Sequence, residues 1–464
     1  MRNEPGNVVR RDFLKVGALA TAAFAAEPFD ALRRRSELRA AETRGTGYGP
    51  LRPARDEATG LELIKLPEGF RYVSFGWTGD PLAGGTRTPG LHDGMAALAQ
   101  AGGLVTVIRN HEVSLPGPSI APAVSTYDPQ AGAGCVRLLF DADTGKLVSA
   151  EPAIGGTHRN CAGGPTPWGT WLTCEETVDD AHGTYQGKPL PFEQDHGFIF
   201  EVPASGDALP VPLKAMGRFV HEAIAVDPAS GIVYETEDHE TAGFYRFIPT
   251  APGKLIDGGR LEMMRVAGTP DSRRGMKPNQ SLAVSWVEIA DPLRHRRPGT
   301  NDTSGVFDQG QRQGGTTFAR LEGCWFGGGK VYFTATSGGD AEAGQIWEYD
   351  PAAERLRLVF ESPGAHMLDY PDNITVSPRG ALVLCEDGDR KAERLCGLTL
   401  DGQLFPLAEN YVVLSGEKNG FSGDFRKQEW CGATFTPDGR WLLANIQTPG
   451  LTVAITGPWE QGPL

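Results

Sequence analysis

The chain has 464 residues, enough for a large core, and its 61 glycines and 35 prolines make it dense in turn formers. Its formal net charge of −14, with 58 acidic against 44 basic residues, argues against nucleic acid as a partner, because that binding rewards clustered Lys and Arg. The same charge repels an anionic substrate unless metal ions or local arginines reverse the sign at the site. Seven cysteines are odd in number and too few for a disulfide scaffold, so at least one has no partner within the chain.

At the N-terminus, Arg10-Arg11-Asp12-Phe13-Leu14-Lys15 precedes the small apolar run Val16 to Ala26, and Ala23-Phe24-Ala25 offers an A-x-A cleavage site. This reads as an export signal over residues 1–26, addressed to the twin-arginine machinery. It predicts a periplasmic or secreted protein with no stable membrane anchor, since the apolar run is too short to span a bilayer. Residues 27–53, rich in Arg, Ala and Glu, are expected to form a loose or helical lead-in to a single domain over 54–464.

In that domain short β-rich runs recur between turns: Cys135–Phe140, Gly197–Val202, Gly231–Glu235, Lys330–Thr334, Ala381–Cys385 and Trp441–Asn445. Turns such as Asp227-Pro-Ala-Ser-Gly231, Ser377-Pro-Arg-Gly380 and Thr436-Pro-Asp-Gly439 precede several of them. Such spacing predicts an all-β fold. Its repeating plan points to radial repetition, as in a β-propeller with long inter-blade loops, and a two-sheet sandwich array is the alternative. The stretch Asp271 to Gln313 reads as a long excursion between blades.

Carboxylates stand repeatedly where apolar strands run into turns: Glu112, Glu175-Glu176, Glu222, Glu235, Glu237-Asp238, Glu322, Asp372, Glu386-Asp387 and Glu429. Loops at one end of a propeller meet, and converging carboxylates cannot all stay ionised without cations. Oxygen donors with irregular spacing suit calcium. A thiolate suits a softer transition metal, iron or zinc, and Cys161 in Asn160-Cys-Ala-Gly-Gly164 lies before glycines that permit close backbone approach. The alternative for Cys161 is a disulfide with Cys174. Cys174, Cys324 and Cys385 alternate with apolar residues and read as small core hydrophobes. His111, His158, His221 and His239 are either further ligands or hydrogen-bonded loop residues. No G-x-S-x-G elbow, H-E-x-x-H or P-loop occurs, which argues against serine hydrolase, zincin and NTPase chemistry.

Several segments together resemble the PhoX-type alkaline phosphatases: the Arg10-Arg11 signal, Leu66-Pro-Glu-Gly-Phe70, His92-Asp-Gly-Met95, Asn110-His-Glu112, Asn160 to Glu176, Gly217 to Ala223, Arg320-Leu-Glu-Gly323, Asp372-Asn373, Asn445 to Gly450 and Thr456-Gly-Pro-Trp459. The resemblance implies a six-bladed propeller with a phosphomonoesterase centre of ferric (Fe3+) and calcium (Ca2+) ions, in which a metal-held oxygen attacks a small-molecule phosphate ester. It implies that Cys161 and Glu176 bind iron, that Arg320 holds phosphate and that Glu322 binds metal. Glu222, Glu237 and Asp238 would supply the remaining acidic ligands, and Asp372, Asn373, Glu386 and Asp387 would serve calcium. Shorter insertions than in larger members bear on substrate preference. The protein is expected to act as a monomer. The rival readings are a calcium-dependent lactonase or phosphotriesterase on a similar propeller, and a non-catalytic, metal-stabilised ligand binder.

Overall fold

Apolar residues alternating with polar ones over five to twelve positions, cut by Gly- and Pro-bearing turns, leave the chain little but antiparallel sheet to form. The structure, a computed structural model, describes residues 47–185 and 188–464; the expected export signal over 1–26 and residues 27–46 lie outside them. Among the described residues the only α-helix is Gly305–Arg312.

Five larger sheets carry the fold. The first has four strands, His92–Ala101, Leu104–His111, Ala133–Asp141 and Lys146–Thr157, and the second has three, Asn160–Pro165, Thr170–Glu175 and Ile199–Pro203. The third is a nine-stranded sheet running from His221–Val226 at one edge to Leu321–Gly327 at the other. Its continuity depends on Ser281–Glu288, which pairs through Ser281↔Arg357 and Leu282↔Leu356 with the outer strand Arg355–Glu361. The 271–313 excursion therefore supplies this connecting strand and the helix, rather than a plain loop. The fourth sheet runs outward from Pro371–Val376 and ends on Ile64–Leu66 and Arg52–Ala54.

The fifth sheet is built from both ends of the domain: Trp430–Phe435, Leu442–Ile446 and Leu451–Thr456 accept Arg71–Phe75 in the register Arg71↔Thr456 to Phe75↔Thr452. Pairing early and late strands removes two free edges and ties the chain into a closed structure. Six strands pack side by side in a ring: His92–Ala101 on Asn160–Pro165, then His221–Val226, Leu321–Gly327, Pro371–Val376 and Trp430–Phe435, which returns to the first. The remaining strands step outward from this ring. The architecture is all-β and propeller-like, not a sandwich array.

Apolar residues fill the gaps between facing sheets and between the two halves of the nine-stranded sheet, as with Val107, Phe140, Trp441 and Leu443 in one layer and Phe244, Phe333 and Trp347 in another. Cys174, Cys324 and Cys385 lie in these layers as small buried hydrophobes. Gly47–Leu464 forms one compact unit, which takes in residues 47–53 of the expected lead-in. Tyr48, in the expected lead-in, packs edge-on against Phe70 and Trp459 and donates from its hydroxyl to the Trp459 carbonyl at 3.1 Å. No helix among the described residues is long and apolar enough to cross a membrane.

Candidate metal centre

The ring of inner strands carries one irregularity six times. Relative to its neighbour each strand gains a residue, between His92 and Met95, Asn160 and Gly163, His221 and Ile224, Leu321 and Cys324, Pro371 and Ile374, and Cys431 and Thr434. A β-bulge breaks the alternation of side chains and re-aims those beside it. The residue just inside the bulge is Asp93, Cys161, Glu222, Glu322, Asp372 and Gly432 in turn. The next position holds Gly94, Ala162, Ala223, Gly323, Asn373 and Ala433, which line a narrow axial cavity. These residues are small because the strands nearly touch there: a Cβ on Gly94 would lie 2.5 Å from the Ala162 Cα, and one on Gly323 2.6 Å from the Ile374 nitrogen.

A bulge also frees carbonyls, and side chains from neighbouring strands around the ring satisfy them. Asn110 Nδ2 donates to the Cys161 and Ala162 carbonyls at 3.0 and 2.7 Å. Thr236 Oγ1 donates to the Glu322 carbonyl at 2.6 Å, Thr334 Oγ1 to that of Asp372 at 2.8 Å, and Asn445 Nδ2 to that of Asp93 at 2.6 Å. Four of the residues that carry the site's donors are thus clamped through their own backbones.

A second tier stands above the first. The N–H groups of Glu112, Glu176, Asp238, Thr336, Asp387 and Gln447 donate to the carbonyls of Leu91, Arg159, Val220, Arg320, Tyr370 and Glu429, the residues that enter the inner strands. Consecutive residues of a strand face opposite ways, so each acidic pair at a strand end is divided. Glu176, Asp238 and Asp387 face the centre, whereas Glu175, Glu237 and Glu386 are spent in the surrounding framework. Glu175 takes a hydrogen bond from the ring of His196 at 2.7 Å and from the N–H groups of Gly197 and Phe198 at 2.7 and 3.1 Å. Burial opposes a charge on His196, but Glu175 and Asp128 outweigh it and push the imidazole up to about 9.

The central side chains form four overlapping donor groups, within each of which the ligand atoms lie within 4.8 Å of one another: Asp93, Glu429 and Cys431; Cys161, Glu176 and Glu222; Glu222, Glu322 and Asp372; and Asp372, Asp387 and Glu429. Burial, reinforced by neighbouring acids, pushes the carboxyls of Asp93, Glu176, Glu222, Glu322 and Glu429 well above the usual carboxylate range, and that of Asp372 up to about 8. Burial and the nearby Asp93 and Glu222 raise the Cys161 thiol likewise. So many acids share one enclosure in ionised form only if cations share it with them. The donor set fits such cations: Glu222 Oε2 is buried without a hydrogen-bond partner, and a thiol lies 3.0 Å from the other oxygen of the same carboxylate.

Two guanidinium groups border the cluster. Arg320 donates from Nε and Nη2 to Asp238 at 2.9 and 3.1 Å and from Nη2 to Glu322 at 2.5 Å. Arg159 donates from Nη2 to Glu112 at 3.0 Å and to Glu176 at 2.7 Å. Glu322 above all holds Arg320 in its charged form.

The structure gathers Cys161, Glu176, Glu222, Glu322, Asp372 and Asp387 in the centre, with Arg320 and Asp238 at its edge and Asn373 beside it, donating to Asp372 Oδ1 at 2.8 Å. It corrects two expected ligands. Glu237 is turned away and takes hydrogen bonds from the Gly243 N–H at 2.8 Å and the Tyr245 hydroxyl at 2.7 Å. Glu386 pairs with Arg394 at 2.6 Å and Arg390 at 3.2 Å. Glu235 is buried in the core, not in the centre, and no disulfide joins Cys161 to Cys174, both of which are free. His111, His158, His221 and His239 take the hydrogen-bonded alternative; none belongs to a donor group. Sequence reasoning missed Asp93, Arg159 and Cys431 as members of the site, and counted Glu112 and Glu429 among the strand-end acids without assigning either a role. The sequence did hold a signal for Asp93: an acid or Cys followed by Gly, Ala or Asn recurs at Asp93-Gly, Cys161-Ala, Glu222-Ala, Glu322-Gly and Asp372-Asn.

No curated protein matches the chain by sequence. Among solved structures, Pseudomonas fluorescens PhoX in complex with vanadate, a transition state analogue, superposes with a TM-score of 0.65 at 17% identity, over 90% of this chain and 99% of that one. A gluconolactonase from Xanthomonas campestris reaches a TM-score of only 0.43 at 13% identity, over 88% and 98% of the two chains. These likenesses concern the fold. The sequence pattern of the alkaline phosphatase PhoX family, by contrast, matches residues 46–135 and 128–450, a span that takes in every strand of the inner ring and every member of the donor groups. The chain belongs to the alkaline phosphatase PhoX family.

Proposed function

We propose that the protein is an exported phosphomonoesterase acting at an iron–calcium centre in the middle of a six-bladed propeller. Six blades follow if the nine-stranded sheet is counted as two blades joined at their outer edges, one inner strand to each. The Arg10-Arg11 signal supports export to the periplasm by the twin-arginine route. The observation that carries the reading is the thiol of Cys161 set among buried carboxylates in a mainly acidic centre, bordered by arginines, within a family of phosphatases. A purely calcium-based lactonase site would have no use for that thiol.

Cys161, Glu176 and Glu222 would hold iron, and the all-oxygen groups around Asp372 would hold calcium. When bound, these ions would neutralise phosphate oxygens and activate the attacking oxygen. The chain itself contributes rigidity and orientation. The inner-strand carbonyl clamps hold the ligands in place before any ion or substrate arrives, and the salt bridges to Asp238 and Glu322 fix the plane of the Arg320 guanidinium. Elemental analysis of the exported protein, paired with hydrolysis of p-nitrophenyl phosphate, tests the reading: both iron and calcium are expected in active protein. Active protein with calcium alone, or with zinc alone, would reject the mixed centre. Cys161→Ser should lose iron and any thiolate-to-iron colour while Cys174→Ser keeps both, because an alcohol is a far poorer ligand than a thiolate.

Arg320 gives a quantitative test. A charge-assisted hydrogen bond is worth about 1.5–3 kcal/mol, so Arg320→Ala should lower kcat/KM for a phosphomonoester by roughly 10- to 150-fold. Arg320→Lys should recover only part of this loss, since one ammonium cannot hold Asp238 and Glu322 and also meet phosphate. Unchanged kinetics in Arg320→Ala would make the residue purely structural.

A further inference from the structure

We propose that Arg159 is a second phosphate-contacting residue, placed by the fold's internal repetition as the counterpart of Arg320. This rests on the phosphatase reading above. Arg159 and Arg320 occupy the same position in two blades, each one residue before an inner strand and two before its ligand, Cys161 or Glu322. Both have left-handed backbones, with φ of 49° and 43°. Leu91 and Tyr370 enter their inner strands with the same geometry, at 49° and 47°, so the turn belongs to the blade plan and the arginine side chain is what sets these two apart.

Three observations separate Arg159 from a mere neutraliser of nearby acids. First, among the described residues the central carboxylates form ion pairs with Arg159 and Arg320 and with no other basic residue. Among the described residues, an anion entering beside these carboxylates therefore meets two cations that they hold in place. Second, the anchoring is alike. Each guanidinium uses Nε and Nη2 on carboxylates of its own and an adjoining blade, which sets its plane, and in neither does Nη1 make a hydrogen bond among the described residues. Third, both side chains are 35% exposed, while Glu112 and Glu176 beneath Arg159 are 17% and 11% exposed and Asp238 and Glu322 beneath Arg320 are 12% and 4% exposed. The acids are covered and the cations face outward. A planar fork with one edge fixed and the other unused suits a tetrahedral oxyanion, and two of them on different blades constrain its orientation as one cannot.

The test uses metal-loaded full-length protein and inorganic phosphate, measured by calorimetry and as an inhibitor of p-nitrophenyl phosphate hydrolysis. Arg159→Ala should weaken phosphate binding roughly 10-fold or more, with iron and calcium content unchanged. Arg159→Lys keeps a charge on Glu112 and Glu176, so it serves if the alanine variant folds poorly; it should still bind phosphate several-fold more weakly than wild type. Phosphate affinity within about twofold of wild type in the folded variant, even with lowered thermal stability or metal content, overturns the assignment and leaves Arg159 a structural counter-ion. Wild-type protein that neither binds phosphate nor cleaves the ester overturns the phosphatase reading itself. Wild type that does both, beside an Arg159 variant that matches it, overturns this inference alone.

Discussion

Stripped of its cations by a chelator, the protein should lose phosphomonoesterase activity completely and acquire a stability that falls as pH rises. Each buried acid of the centre holds its proton in the cation-free native state more tightly than in the unfolded chain, where carboxyls ionise near pH 4. Above that pH the native state therefore binds more protons than the unfolded one, and stability declines with every step in pH. The decline begins near pH 4 and runs through about pH 8, where burial and the neighbouring Asp387 place the Asp372 carboxyl. Asp93, Glu176, Glu222, Glu322 and Glu429 are raised in the same direction and steepen it. Bound cations remove the cause, because the ligands are then ionised in the native state. Melting curves between pH 5 and pH 8 should thus fall steadily for chelated protein and stay nearly level for loaded protein. Parallel curves would mean that the acids are not held together by cations. Readdition of iron and calcium should restore both activity and the level profile.

Glu386→Ala should cost about 3–5 kcal/mol of stability, the loss expected when one partner of a buried ion pair is removed. Glu386 is fully buried, pairs with Arg394 through both oxygens at 2.8 and 2.6 Å, and accepts the Asp369 N–H at 3.0 Å. Its loss leaves the Arg394 side chain, 17% exposed, with the Met367 carbonyl as its remaining hydrogen-bond partner. Denaturant unfolding would register the loss, and the folded fraction should keep its metal. Asp387→Ala should behave the other way, with a smaller stability change and loss of calcium, because Asp387 shares a donor group with Asp372 and Glu429. If Glu386→Ala instead emptied the centre without destabilising the fold, the assignment of Glu386 to the framework would be wrong. The pair is a direct test of strand alternation as the device that sorts these acids.

The sequence by itself determined the all-β class, the family and many of the residues that meet in the centre. Strand-length apolar runs between Gly- and Pro-bearing turns admit a β-propeller, and the Asn160 to Glu176 segment with Arg320-Leu-Glu322 suffices to identify the family and its central thiol. The same reading could not separate Glu237 from Asp238 or Glu386 from Asp387. Within each pair the residues are alike in type, and a shift of one position along a strand reverses the face a side chain occupies. Nor did it find Asp93 or Arg159, which are ordinary polar residues beside turns until the ring brings them together. That convergence depends on a bulge in each of the six inner strands, on Asn110, Thr236, Thr334 and Asn445 reaching across to a neighbouring inner strand, and on Arg71–Phe75 closing the last sheet against Leu451–Thr456. Only the tertiary structure decides these, because each joins segments whose distance in sequence carries no record of their distance in space.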